Sequence, residues 1–190
     1  MPRTVEKSST TTVCGARART PDDVTLTDIL PTLRGSLPDP LDRPSWPADT
    51  HATLDDVVVQ GLSLTRVARL LGSPLLFQPT ATDPVGVVLL RVSGVMRGTE
   101  CRRIHCGGDH LATVATVRAD EMVWHEARLI GRVSLARRRP VTITSCGMAH
   151  AVDLPDDLTP GDVVAMPVRM SSRTPRGCRL LDRIEESPGD

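Results

Sequence analysis

The chain has 190 residues, of which 39% are hydrophobic, with 23 basic side chains set against 23 acidic ones. That length suits one core of ordinary size, and a balanced charge broken only by the run Arg137, Arg138, Arg139 excludes the footprint of a nucleic-acid or membrane-surface protein. The aromatics are Trp46, Trp124 and Phe77, with no tyrosine, so base-stacking platforms are excluded as well.

The first residues, MPRTVEKSSTTT, contain no apolar segment suited to a signal peptide, and no later run approaches the ~20 apolar residues of a membrane span. A cytoplasmic protein is expected. The five cysteines Cys14, Cys101, Cys106, Cys146 and Cys178 form an odd set without close CxxC pairs, which predicts reduced thiols.

In chain order, residues 1–24 are polar and poor in large apolar side chains, a composition that predicts a flexible N-terminal arm. Residues 25–54 form a lead-in, with a short helix over 25–34 capped by Thr25 or Thr27 and a proline-rich extended stretch over 38–47. The main domain spans 55–184. It opens with a β-branched strand at 57–60, a helix carrying Leu62, Val67, Leu70 and Leu71 that stops at Gly72 and Pro74, and a strand at 75–78.

Everything after that reads as β, with strands at 85–95, 102–106, 111–117, 122–131, 140–146, 163–168 and 178–184 between Gly, Pro and Asp punctuation. Residues 185–190 are a tail. The fold class is all-β, a single closed or nearly closed β-barrel with a short N-terminal helix.

Two segments carry a family resemblance. DDVVVQGLSLTRVARLLGSPLLF resembles the opening of diaminopimelate decarboxylase, and VVLLRVSGVMRGTECRRIHCGGDH resembles the point where that family leaves its (β/α)8 barrel for a C-terminal β domain. HEARLIGR, RPVTITSC and DLPDDLTPGDVVAMPV then follow the family's last strands in order, so the resemblance covers residues 55–168. It implies the β domain of a pyridoxal-phosphate decarboxylase from which the barrel, about 250 residues in a complete example, is missing.

The departures fall on the family's chemistry. Pyridoxal enzymes hold their cofactor on a lysine, and the single lysine here, Lys7, lies in the arm. The Asp before the family's Gly-Gly is Cys106. The family's Cys-Glu-x-x-Asp loop reads Cys146, Gly147, Met148, Ala149, His150, and its Gly-Ala-Tyr is replaced by Arg169, Met170, Ser171. No cofactor is expected.

Several residues can still carry chemistry. Cys101, His105, Cys106, Asp109 and His110 supply donors for a metal, but adjacent His105 and Cys106 point to opposite faces of a strand and no zinc spacing is present. No metal site is expected, and a turn at Gly107 and Gly108 is the plain alternative. Strand alternation puts His125 among Val123, Ala127 and Leu129 on an inner face, as an acid/base group or a hydrogen-bonded core residue, with Trp124 and Glu126 on the other face. Cys146 and His150 can pair across a tight turn, or Cys146 is an inert buried thiol. The arginines at 137–139, 173, 176 and 179 can hold a carboxylate or phosphate, or form a solvated face.

Two functions follow. In the first, the barrel binds a small organic molecule and transforms it without a cofactor, as a cyclase, isomerase or lyase in biosynthesis. His125, His105, Asp109 and His110 would be its catalytic candidates, and Trp124, Glu126, Cys106, Cys146 and His150 its binding residues. In the second, the chain is a non-catalytic interaction or dimerisation protein, a partner of a full-length decarboxylase. A cavity of a few hundred Å³ favours the first and a filled interior the second. A homodimer is expected in either case, since the family builds its site across a two-fold axis.

Overall fold

The structure is a computed structural model, which describes residues 30, 35–80, 82–97, 102–106, 117–118, 120–145 and 148–171. Its strands are β1 (Thr50–Ala52), β2 (Val57–Val59), β3 (Leu62–Ser63), β4 (Leu75–Phe77), β5 (Val85–Arg97), β6 (Arg102–Cys106), β7 (Arg128–Ile130), β8 (Arg138–Ser145), β9 (Met148–Pro155) and β10 (Val163–Arg169), with the helix α1 (Leu64–Leu71) between β3 and β4. The all-β class is correct.

The start of the main domain folds around one carboxylate. Asp56 accepts the backbone N–H of Val57 at 2.8 Å and of Thr65 at 3.0 Å, and it also bonds the Ser63 hydroxyl. Ser63 in turn caps α1 by accepting from the Arg66 N–H at 3.1 Å, so the β2–β3 hairpin and the first helical turn share one polar knot. Gly72, at φ +83°, ends the helix in a conformation that a side chain would disfavour, and its N–H reaches the Ala68 carbonyl. Leu64, Val67 and Ala68 form the buried stripe of α1.

The main sheet has the order β7-β10-β5-β6-β8-β9, with β4 also on β5. β5 is 13 residues long because it serves two partners along one edge: β4 opposite Val87 to Leu89, then β6 from Val92 onward, past a bulge at Ser93. Its other edge pairs with β10. Both faces are covered. Val88, Leu90 and Val92 join Val164, Met166, Ile104, Ile143 and Leu154 in the concave core, while Val87, Leu89 and Ala165 pack under α1 with Trp46, Leu64 and Phe77. Burial on both faces explains why β5 reads as an unbroken apolar run rather than an alternating one.

The expected closure does not occur. The sheet is curled like half a barrel and open, because its end strands β7 and β9 do not pair. β7 has only three residues before Gly131, at φ +90°, turns the chain aside and donates its N–H to the Asp55 carbonyl at 2.6 Å, and it forms no ladder with the eight residues of β9. The predicted strand over 122–131 is likewise broken: Met122 makes a single bridge to Val168, Trp124–Glu126 is a 3-10 turn, and only Arg128–Ile130 is strand. The strand expected at 111–117, apart from Val117, which sits in a bend, the strand expected at 178–184, and the helix at 25–34 apart from Leu30 lie outside the described residues.

Leu90 is 1% exposed in the concave core. Leu90→Ala is expected to cost about 2 to 5 kcal/mol in urea unfolding, through lost transfer energy and a residual cavity. The exposed Leu70 changed to Ala is expected to alter stability by less than about 0.5 kcal/mol.

Candidate functional site

The polar groups concentrate along the seam where the sheet fails to close. Glu126, 6% exposed, accepts from the Trp46 indole N–H at 2.8 Å and the Asp42 backbone N–H at 3.2 Å, and pairs with Arg128 at 3.1 Å. Arg128 also donates to the Pro40 carbonyl, while its Nε–H is buried without a partner among the described residues. Burial and the neighbouring Arg138 charge lower the Arg128 pKa against the pull of Glu126.

Arg138, from the start of β8, reaches both sides of the gap. It donates to the Asp153 carbonyl in β9 at 2.6 and 3.2 Å, to the Ala127 carbonyl at the entry to β7 at 3.2 Å, and to the Asp39 carboxylate at 2.9 Å. Arg132 fastens the loop after β7 to the β9–β10 turn, through Asp162 at 2.8 Å and Asp157 at 2.9 Å. Burial acts to raise these two carboxyls, but the Arg132 hydrogen bonds outweigh it and hold both below the usual carboxylate range; the same pairing raises Arg132.

These three arginines line a recess of about 60 Å³ with Leu37, Leu54 and Asp39. Its size and sign decide what it can do. Arg128, Arg132 and Arg138 already meet four carboxylates, Glu126, Asp39, Asp157 and Asp162, which leaves no uncompensated positive charge for an anion. The recess is a structural seam. Glu126, expected as a ligand-binding residue, belongs to it.

The other expected site residues scatter. His125 is exposed on the 3-10 turn and not among Val123, Ala127 and Leu129 on an inner face; the turn, closed by Glu126 N–H to the Val123 carbonyl and Ala127 N–H to the Trp124 carbonyl, replaces strand alternation at that point. Its exposure is not that of a hydrogen-bonded core residue. His105 is exposed on the convex face of β6, with Nδ1 3.1 Å from the Thr144 hydroxyl and Nε2 3.2 Å from the Met96 sulfur. Cys106 points the opposite way into the core, and burial pushes its thiol up to about 12, which removes it as a nucleophile near neutral pH. Asp109, His110, Cys146 and the arginines at 173, 176 and 179 lie outside the described residues.

Two expected binding residues do meet. Trp124 and His150 stack with ring centroids 4.3 Å apart and planes 10° from parallel. His150 shares a β9 register with inward Val152 and Leu154, so the pair lies at the rim of the concave face, with the imidazole exposed. The sequence offered no signal for this contact, because β9 was not foreseen as a strand.

No helix among the described residues is long and apolar enough to cross a membrane, and no His, Cys, Asp and Glu group among them could hold a metal ion. Comparison with known proteins finds no family model that matches the chain and no characterised protein with significant similarity to it.

Because Asp157 and Asp162 have lower pKa values folded than unfolded, their contribution to stability is full above the unfolded value of about 4 and is lost as pH falls through the folded values. Urea unfolding followed from neutral to acidic pH is expected to show stability declining below about pH 4. Arg132→Met is expected to shrink that decline by on the order of 1 kcal/mol, a modest figure because the pairs are half-exposed and screened; an identical acid profile in the variant would contradict the assignment.

Proposed function

We propose that the chain is a non-catalytic binding domain of the decarboxylase β-domain type, kept for the surfaces it offers to other protein chains. One observation carries this reading: the concave face, where a small barrel would keep a substrate cavity, is filled by Val88, Leu90, Val92, Ile104, Ile143, Leu154 and Met166, each at most 1% exposed. The dispersal of the acid/base candidates supports it too. Among the described residues, His105 and His125 are both exposed and stand on different elements, a β strand and a 3-10 turn.

The stacked Trp124 and His150 favour a second reading, in which a small organic molecule lies flat against this rim. A planar apolar group would gain contact with the ring pair, and His150 would be an ionisable side chain within reach for a cyclisation or isomerisation.

One experiment separates them. The full chain, alone and mixed with a full-length pyridoxal-phosphate decarboxylase, is measured by size-exclusion chromatography with light scattering, and a panel of small carboxylic acids is screened by ligand-observed NMR. A binding domain is expected to give a protein assembly of micromolar affinity or better, no ligand signal, and an unchanged melting temperature for His125→Ala. A monomer in both mixtures, together with a ligand signal that disappears in Trp124→Ala, would overturn the first reading in favour of the second.

A further inference from the structure

The surface of α1 carries an apolar side chain and unpaired charges together. Its outer face presents Arg66, Arg69 and Leu70, at spacings of three and four residues that bring them onto one side of the helix. Leu70 is 62% exposed, and neither arginine has a carboxylate partner among the described residues. Across a groove of about 590 Å³ stands the β1–β2 turn, with the exposed carboxylate of Asp55. The groove shares Thr53 and Asp56 with the seam recess, where Leu54 (43% exposed) and Leu37 (49%) extend the apolar surface.

We infer that this face is a two-fold interface between copies of this chain, with α1 packed on α1, Leu70 near the axis, and Arg66 and Arg69 reaching Asp55 of the second copy. The inference rests on the reading of the chain as a binding domain and names its partner. Charge decides the occupant. An isologous contact sets one patch against itself, so it needs both signs on either side of an apolar centre, and this patch has them. An acidic peptide would satisfy the arginines but set its own charges against Asp55 and Asp56 on the facing wall. A purely apolar partner would bury Arg66 and Arg69 unpaired, at a high desolvation cost.

The test is sedentation-based mass measurement by analytical ultracentrifugation of the full chain, from low to high micromolar concentration, with circular dichroism melting as a folding control. A reversible dimer is expected. Leu70→Asp is expected to weaken it roughly thirtyfold or more, as for a central interface side chain, without altering the melting curve. Asp55→Arg is expected to weaken it as well, and the triple variant Asp55→Arg, Arg66→Asp, Arg69→Asp to restore it, since the charges then pair again with their signs exchanged. A dimer that survives Leu70→Asp, or a triple variant that stays monomeric, would overturn this interface while leaving the binding-domain reading intact. A native chain that is monomeric throughout would overturn the second copy as partner, and only the additional absence of a complex with the full-length decarboxylase would overturn the broader reading.

Discussion

Arg138 holds the two free edges of the sheet together. A closed barrel joins its first and last strands by a backbone ladder, whereas here side chains span the gap, foremost the Arg138 guanidinium, which donates to the Ala127 carbonyl on one side and the Asp153 carbonyl on the other. Its remaining charge is met by Asp39 from the lead-in, so the segment before β1 is drawn over the seam instead of leaving it open to water. Glu126 and Trp46 do the same one step along, across 80 residues of sequence. The lead-in is therefore tied to the seam at Arg138, Arg128 and Glu126.

The same seam explains which parts of the fold could be read from sequence. The unbroken run Val87, Val88, Leu89, Leu90 announced a strand buried on both faces, and Leu64, Val67 and Ala68 followed by Gly72 and Pro74 announced a helix with a defined end, because both signals are local. His125 was misplaced because its orientation is set by a distant contact. The Glu126 carboxylate is committed to Trp46 and Arg128, the chain turns tightly to deliver it, and period-2 alternation stops there. β9 escaped notice because its polar outer residues and the prolines at 155 and 160 read as loop, although Val152 and Leu154 do alternate inward. The Arg138 run looked like a solvated basic face. Which carbonyls such a side chain reaches is a property of the folded sheet and leaves no mark on spacing.

The proposed function rests on how the interior is used. Among the described residues the concave face is filled by aliphatic side chains, and the one described cysteine is held protonated by burial. What the molecule presents outward is more distinctive: an aromatic and imidazole stack at the rim and an amphipathic helix face on the opposite layer of the sheet. Both offer surface for contact, which is what the proposed binding role requires.

The central claim, that Arg138 links the two unpaired edges of the sheet, is tested most directly by native-state hydrogen exchange on Arg138→Met, a change that keeps apolar bulk and removes the donors. The account predicts faster exchange confined to the amides of β7, β9 and the 3-10 turn at Trp124–Glu126, with protection along β5 and β10 retained. Unchanged protection on both sides of the seam, or a uniform loss across the whole sheet, would contradict it.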